Sequence, residues 1–344
     1  MRAARLLIIL LPILFTAQAC NFFSLGSGDN GSGPRGVFVS VDSGESWQET
    51  NRLGEDKKLD GAEVFRLVLE PGNHQNLLLV THNAGLYASD NKADQWITLL
   101  PDFSAYDSFF NPSNKQEIFV AGHRGKIATI LKSPDRGATW LPVYNEPTGP
   151  AAVSSLIFDP RNPAIFYAGL TTGTVLRSVD SGQNWNVLTD FKDWIVKLVP
   201  SPDGRTLYLL GQTGGVRRSA DGGRNWVELA KPEPAPGRYN HLYMDPASGG
   251  ALYLATDRGL FRSQDQGSSW TKLTLPATPE TNDVSTVTVN PKKSVQIFAA
   301  IRSTVYRSED RGLTWKTVAL PTHRVIWEIV IDPDEPNRIY VGLK

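Results

Sequence analysis

SVDSGQNW, residues 178–185, is one copy of a box that recurs along the chain. SVDSGESW begins at Ser40, SPDRGATW at Ser133, SADGGRNW at Ser219, SQDQGSSW at Ser263 and SEDRGLTW at Ser308. A worn copy, SDNKADQW, begins at Ser89, with Asn91 in place of Asp and Ala93 in place of Gly. The closing residues Trp47, Trp96, Trp140, Trp185, Trp226, Trp270 and Trp315 stand 41–49 residues apart, the length of one four-stranded propeller blade. The chemistry of the box is local. Asp42, Asp135, Asp180, Asp221, Asp265 and Asp310 are placed to accept hydrogen bonds from backbone N–H groups that a strand ladder leaves free. The Gly supplies positive φ at little steric cost. The Trp is expected to fold under the hairpin and bury roughly 150–250 Å². These residues serve the fold and are not expected to be catalytic.

Outward from the boxes, other blade positions repeat. Apolar strands end in Pro turns, LEP, FNP, FDP, MDP, VNP and IDP, at Pro71, Pro112, Pro160, Pro246, Pro291 and Pro333. A second strand follows each, and a third runs into the box. No stretch holds a 3.6-residue apolar period over ten or more residues, so almost no helix is expected. Only one strand, residues 36–40, precedes the first box, whereas two, 325–331 and 338–342, follow the last. The expected fold is therefore all-β: a single seven-bladed β-propeller with four-stranded blades over residues 36–344. Its closing blade is shared between N- and C-terminal strands, which removes the open sheet edge.

Composition narrows the function. Thirty-five basic and thirty-five acidic residues balance, which argues against nucleic-acid binding. Residues 1–19 read as a signal peptide, with Arg2 and Arg5 ahead of an apolar run from Leu6 to Phe15, too short to span a bilayer. Cys20, the sole cysteine, follows Ala17-Gln18-Ala19. Cleavage after Ala19 would leave an odd thiol in an oxidising compartment. The same residues resemble a bacterial lipobox, although Ala17 stands where that motif usually has Leu. Lipidation of Cys20 is the favoured reading and plain secretion the other. Residues 20–35 form a Gly/Ser-rich flexible linker. Export from the cytoplasm to the periplasmic side or cell surface, with membrane contact through the lipid alone, follows as an expectation.

The S-x-D-x-G-x-x-W boxes, with turns such as FDPRNPAIFYAG and IDPDEPNRIYVG, resemble those of the Asp-box (BNR-repeat) propellers over residues 36–344. With the lipobox-like leader, the pattern looks most like bacterial lipoproteins similar to photosystem II stability/assembly factors. Sortilin, xyloglucanase and sialidase propellers are more distant likenesses. The resemblance implies either a protein-binding scaffold or a carbohydrate-active protein, hydrolase or lectin. The Arg-Ile-Pro motif of sialidases is missing from the sequence, and the xyloglucanase-like enzymes usually set their catalytic Asp residues between two propellers. Fold alone hands over no function.

Direct signs of chemistry are sparse. His74, His82, His123, His241 and His323 stand singly without metal-ligand spacing, and neither a Walker loop nor a nucleophile elbow occurs. No metal and no cofactor is expected. One constellation stands out when the innermost strands are aligned on their Pro turn: Arg66, Asp107, Ser155, Lys197, His241, Thr286 and Glu328 share one position. They are expected to form a polar ring in the central channel, with Glu328, Arg66 and Asp107 as neighbours. The ring is either a channel lining whose charges satisfy one another or a small binding site. Loops 51–63, 101–107, 144–154, 231–240 and 275–285 should share the face opposite the boxes, with Tyr106, Tyr144 and Tyr239 exposed on it. The reading is a monomeric, non-catalytic binder of another envelope or membrane protein, with a glycan as the alternative ligand.

Overall fold

The computed structural model describes residues 34–344 apart from 56, 60, 147 and 279–281. The expected signal peptide, Cys20 and nearly all of the expected linker lie outside the described residues. The fold is a seven-bladed β-propeller of four-stranded antiparallel sheets. Its first blade runs outward through Val64–Leu69, Leu77–Thr81, Gly85–Ser89 and Ile97–Leu100. Inner strands Ser104–Phe110, Val153–Asp159, Ile195–Pro200, Tyr239–Met244 and Thr286–Asn290 open the second to sixth blades, and Ile326–Ile331 opens the closing one. Each inner strand touches the next, and the last touches the first.

Closure occurs as the strand count requires. Ile326–Ile331 pairs with Ile339–Leu343, which pairs with Val37–Ser40 from Val37 against Gly342 to Ser40 against Ile339; Gln48–Glu49 is outermost. The apolar cores lie between blades. Phe38, Phe298, Ile329 and Val341 join the sixth and closing blades, and Val37, Leu67, Trp96 and Tyr340 join the closing and first blades. No strand edge at the ring closure is left to template aggregation.

The boxes share one hydrogen-bond set. Ser178 Oγ donates to Asp180 Oδ1 (2.7 Å) and accepts the Gly182 N–H (2.9 Å). Asp180 in turn accepts the Asn184 N–H at 2.9 Å and its side-chain amide at 2.7 Å. These bonds hold the Asp180 carboxyl down at about 2. Ser46, Thr139, Asn225, Ser269 and Thr314 serve the other box aspartates in the same way. The worn copy keeps the backbone part of the set: Asn91 Oδ1 accepts the Gln95 N–H at 3.0 Å, and Ala93 takes φ 68° where the others use Gly, while the Gln95 side chain turns to Arg52.

The tryptophans depart from expectation. Those of the six intact boxes are only partly buried, whereas Trp96 of the worn box is 0% exposed. The reason lies in the 51–63 insertion, which was expected on the opposite face. Its strands Arg52–Leu53 and Lys57–Lys58 form a hairpin that bridges Trp96 through Leu53. Trp96 Nε1 donates to the Thr50 carbonyl at 2.8 Å, and its N–H to that of Arg52. The insertion therefore covers the worn box that lacks the standard Asp and Gly.

Candidate functional site

The seven aligned positions do converge. Along the inner strands the ladder register slips just before Arg66, Asp107, Ser155, Lys197, His241 and Glu328, so Phe65, Tyr106, Ser154, Val196, Asn240 and Trp327 are left unpaired. A bulge bends its strand and re-aims the side chains on either side of it. Here it turns one polar residue per blade toward its neighbour blade.

Blade-to-blade bonds then link the ring. Asp107 Oδ2 accepts the Leu156 N–H at 2.9 Å, and Oδ1 accepts that of Ser108 at 2.9 Å. Ser155 Oγ accepts the Leu198 N–H at 3.0 Å, and His241 Nδ1 accepts that of Val287 at 3.3 Å. Thr286 Oγ1 lies 3.4 Å from the same nitrogen. Arg66 pairs with Glu328 at 3.1 Å. The expected trio is thus divided: Arg66 bonds Glu328, whereas Asp107 turns to the next blade and feels Arg66 only through space.

The proton arrangement follows from these contacts. With Nδ1 accepting, a neutral His241 carries its proton on Nε2, and Nε2 faces Lys197 Nζ. That contact is a hydrogen bond only where Lys197 has lost its proton to become an acceptor amine; its ammonium form sets two donors face to face. Burial, then the Arg66 charge, lowers Lys197 to about 8 against the opposite pull of Glu328 and Asp107. Burial, then Lys197 and Arg66, holds His241 well below its ordinary value and so keeps it neutral. Burial pushes Asp107 up, with Arg66 opposing.

A second cluster adjoins the ring, and the sequence reading missed it. Phe65 lies 4.8 Å from Tyr106 and 5.8 Å from Trp327, ring centre to ring centre. His82 is 5.3 Å from Phe65, 5.2 Å from Tyr106 and 6.1 Å from His123. Lys344 Nζ sits 4.6 Å above the Trp327 ring and 5.6 Å from that of Phe65. Burial lowers both imidazoles and so favours their neutral form. Tyr106 Oη and His82 Nδ1 are buried with no hydrogen-bond partner among the described residues. Tyr106 and Tyr239, expected to be exposed, are each 2% exposed, and Tyr144 is half-buried. The signal that could have found this cluster is positional: Phe65, Tyr106 and Trp327 each precede a ring residue, on three adjacent blades.

The antiparallel order puts the Pro turns and boxes at one end of the blades. Apart from the 51–63 insertion, the connections between blades, with the His82 and His123 turns, lie at the other end beside this cluster. That geometry can be set against known proteins. No family model matches the chain. Over 150 residues, 40% of its length, it is 25% identical to a probable oligoxyloglucan-reducing end-specific xyloglucanase of Neosartorya fischeri, of which it spans 18%. The GH74 xyloglucanase from Xanthomonas campestris superimposes with a TM-score of 0.70 at 18% identity, covering 82% of this chain and 51% of that one. YCF48 from Cyanidioschyzon merolae gives 0.61 at 15% identity, covering 82% and 95%, and YCF48 bound to D1 peptide gives 0.61 at 17%, covering 82% and 94%. The chain is a seven-bladed propeller whose turns resemble those of the Asp-box propellers. At these identities its likeness to both groups is one of fold, and it spans only about half of the Xanthomonas xyloglucanase chain.

Proposed function

We propose that this propeller is a non-catalytic protein-binding scaffold of the assembly-factor kind, held on an envelope membrane by a lipid on Cys20. The carrying observation is that both carboxylates of the ring are committed. Glu328 is bonded to Arg66, and Asp107 accepts two backbone N–H groups. Glycoside hydrolysis needs two carboxyl groups free to face one sugar at about 5–10 Å. The partly exposed Trp327, His82 and His123 beside the ring supply contact surface instead, backed by the buried Phe65 and Tyr106, and aromatic side chains are common anchors in interfaces. A YCF48 bound to a D1 peptide gives the precedent that a propeller of this size holds a peptide. The partner is a protein of the same envelope, bound by a monomer through the loop-bearing face.

Affinity capture from native membranes, run beside Trp327→Ala, tests this reading. A specific partner lost in the variant supports it. The second reading, a carbohydrate-active protein, draws on the xyloglucanase likeness and on the half-buried Trp327, whose face suits a sugar ring. Turnover of a glycoside panel, or a glycan-array signal lost in Trp327→Ala, would replace the first reading with the second. The anchor has its own test. Cys20→Ser should abolish labelling by an alkyne fatty acid and release the protein from membranes, since stable anchoring requires more than one acyl chain.

A further inference from the structure

His74 lies in the turn between the two innermost strands of the first blade, and Asp332 and Asp334 lie in the matching turn of the closing blade. Ring closure alone makes them neighbours. His74 Nδ1 is 2.9 Å from Asp332 Oδ1 and 3.1 Å from Asp334 Oδ2. One potential ligand atom from each residue falls within 4.8 Å of the other two, and among the described residues no other three His, Cys, Asp or Glu side chains converge in this way. Asp332 is 1% exposed, and its carboxylate is fixed by the N–H groups of Asp334 and Glu335. The Asp334 side chain, 75% exposed, reaches back over it to the same imidazole.

The charges of this cluster do not balance. Nδ1 carries at most one proton, aimed in one direction, yet two carboxylates stand at hydrogen-bond distance from it. Among the described residues neither carboxylate is paired with a lysine or arginine; Lys292 bonds the Asp334 carbonyl instead. The junction between the first and second blades makes the contrast. There, Glu70 at the position of Asp332 receives both guanidinium nitrogens of Arg136 at 3.1 Å. Lys92, which matches Arg136 in the box, is taken at the closing junction by Glu335. The closing junction therefore has two carboxylates and an imidazole where its neighbour has a carboxylate and a cation.

We propose that His74, Asp332 and Asp334 form a site for a divalent first-row transition metal, which bolts the closing blade to the first. The imidazole nitrogen lies about 3 Å from an oxygen of each carboxylate, a span that a metal with bonds of about 2.0–2.2 Å bridges after a small adjustment. One imidazole with two carboxylates is a nitrogen–oxygen set suited to Zn²⁺ or Mn²⁺, with water completing the shell. Mg²⁺, which favours oxygen ligands and keeps its waters, should bind more weakly. The metal would tie the closing blade to the first beside the strand pairing, apolar packing and ion pairs that already close the ring.

The test uses the untagged chain stripped with chelator, titrated calorimetrically with Zn²⁺, Mn²⁺ and Mg²⁺ and melted with and without each. One Zn²⁺ or Mn²⁺ per chain and a higher melting temperature are expected. Asp334→Asn changes an exposed side chain, so its metal-free melting should match the wild type while its affinity falls about tenfold or more. His74→Gln should lose binding as well. A wild type that takes up neither Zn²⁺ nor Mn²⁺, or variants that bind as tightly as it does, overturns the site and leaves a purely ionic junction.

Discussion

Each blade contributes one residue set to the Asp-box turns and one residue to the channel ring, and the two regions treat sevenfold repetition in opposite ways. At the boxes six blades repeat nearly the same residues and make the same bonds. At the ring the backbone repeats, with a bulge at six of the seven positions, but the seven side chains are of seven kinds. A turn has a fixed local task, the capping of free N–H groups, so one solution suffices for every blade. The ring position faces a different neighbour in every blade, so its chemistry is free to diverge. Repetition here marks structure, and divergence at a repeated position marks the place where a site could be built.

The largest expected effect bears on the box side of this contrast. Trp96→Ala, at a fully enclosed indole, should cost about 3–5 kcal/mol. Trp226→Ala, in an intact box with a half-buried indole, should cost clearly less. Chemical denaturation of both variants decides the matter. Equal losses would mean that the insertion over the worn box adds no burial of consequence.

On the ring side, Arg66→Met leaves Glu328 in the channel without its cation, and losing one partner of a buried pair typically costs about 3–5 kcal/mol. The lower end is expected, since Arg66 keeps 12% side-chain exposure. Adding Glu328→Gln should recover much of the loss. Adding Asp107→Asn should not, because an amide oxygen cannot accept both the Leu156 and the Ser108 N–H as the carboxylate does. Rescue by Asp107→Asn instead would show that Asp107, not Glu328, is the true partner of Arg66. Stability unchanged by Arg66→Met, with partner capture lost, would make the ring a solvated binding site.

The smallest effect is a pH dependence. His241 stays neutral in the fold while the unfolded chain takes up a proton below about 6.5. Its contribution is therefore present above that value and lost as the pH falls through it. Lys197 acts in the same direction higher up: between about 8 and 10.5 the unfolded chain holds a proton that the folded one has released, so stability rises with pH there. Melting curves should show the acid-side slope reduced in His241→Gln and the alkaline-side rise reduced in Lys197→Met. Slopes identical to the wild type would mean that these groups are solvated.

The boxes and the Pro turns were legible because each is solved within about eight residues: an Asp, a Gly and a Trp at fixed spacing specify a turn without help from elsewhere. Strand counting before Ser40 and after Trp315 gave the closure, since a ring of blades admits one way to use three leftover strands and a box. The ring alignment, from Arg66 to Glu328, was legible for the same reason, as a position counted from a local turn. Its partners were not. Whether Arg66 bonds Glu328 or Asp107 depends on which way a bulge turns the chain. The burial of Tyr106 and Tyr239 depends on neighbours more than a dozen residues away.

The sequence by itself determined the repeat, the all-β class, the blade number and the closing blade, because these rest on short-range hydrogen bonding and on arithmetic along the chain. Only the tertiary structure decided that the 51–63 insertion covers Trp96 and that Phe65, Tyr106, Trp327, His82 and His123 pack together. It alone brought His74 to Asp332, across 258 positions, and to the nearby Asp334. Those contacts arise between blades, where the twist of each sheet and the closing of the ring set the distances. No local pattern of residues encodes a distance of that kind.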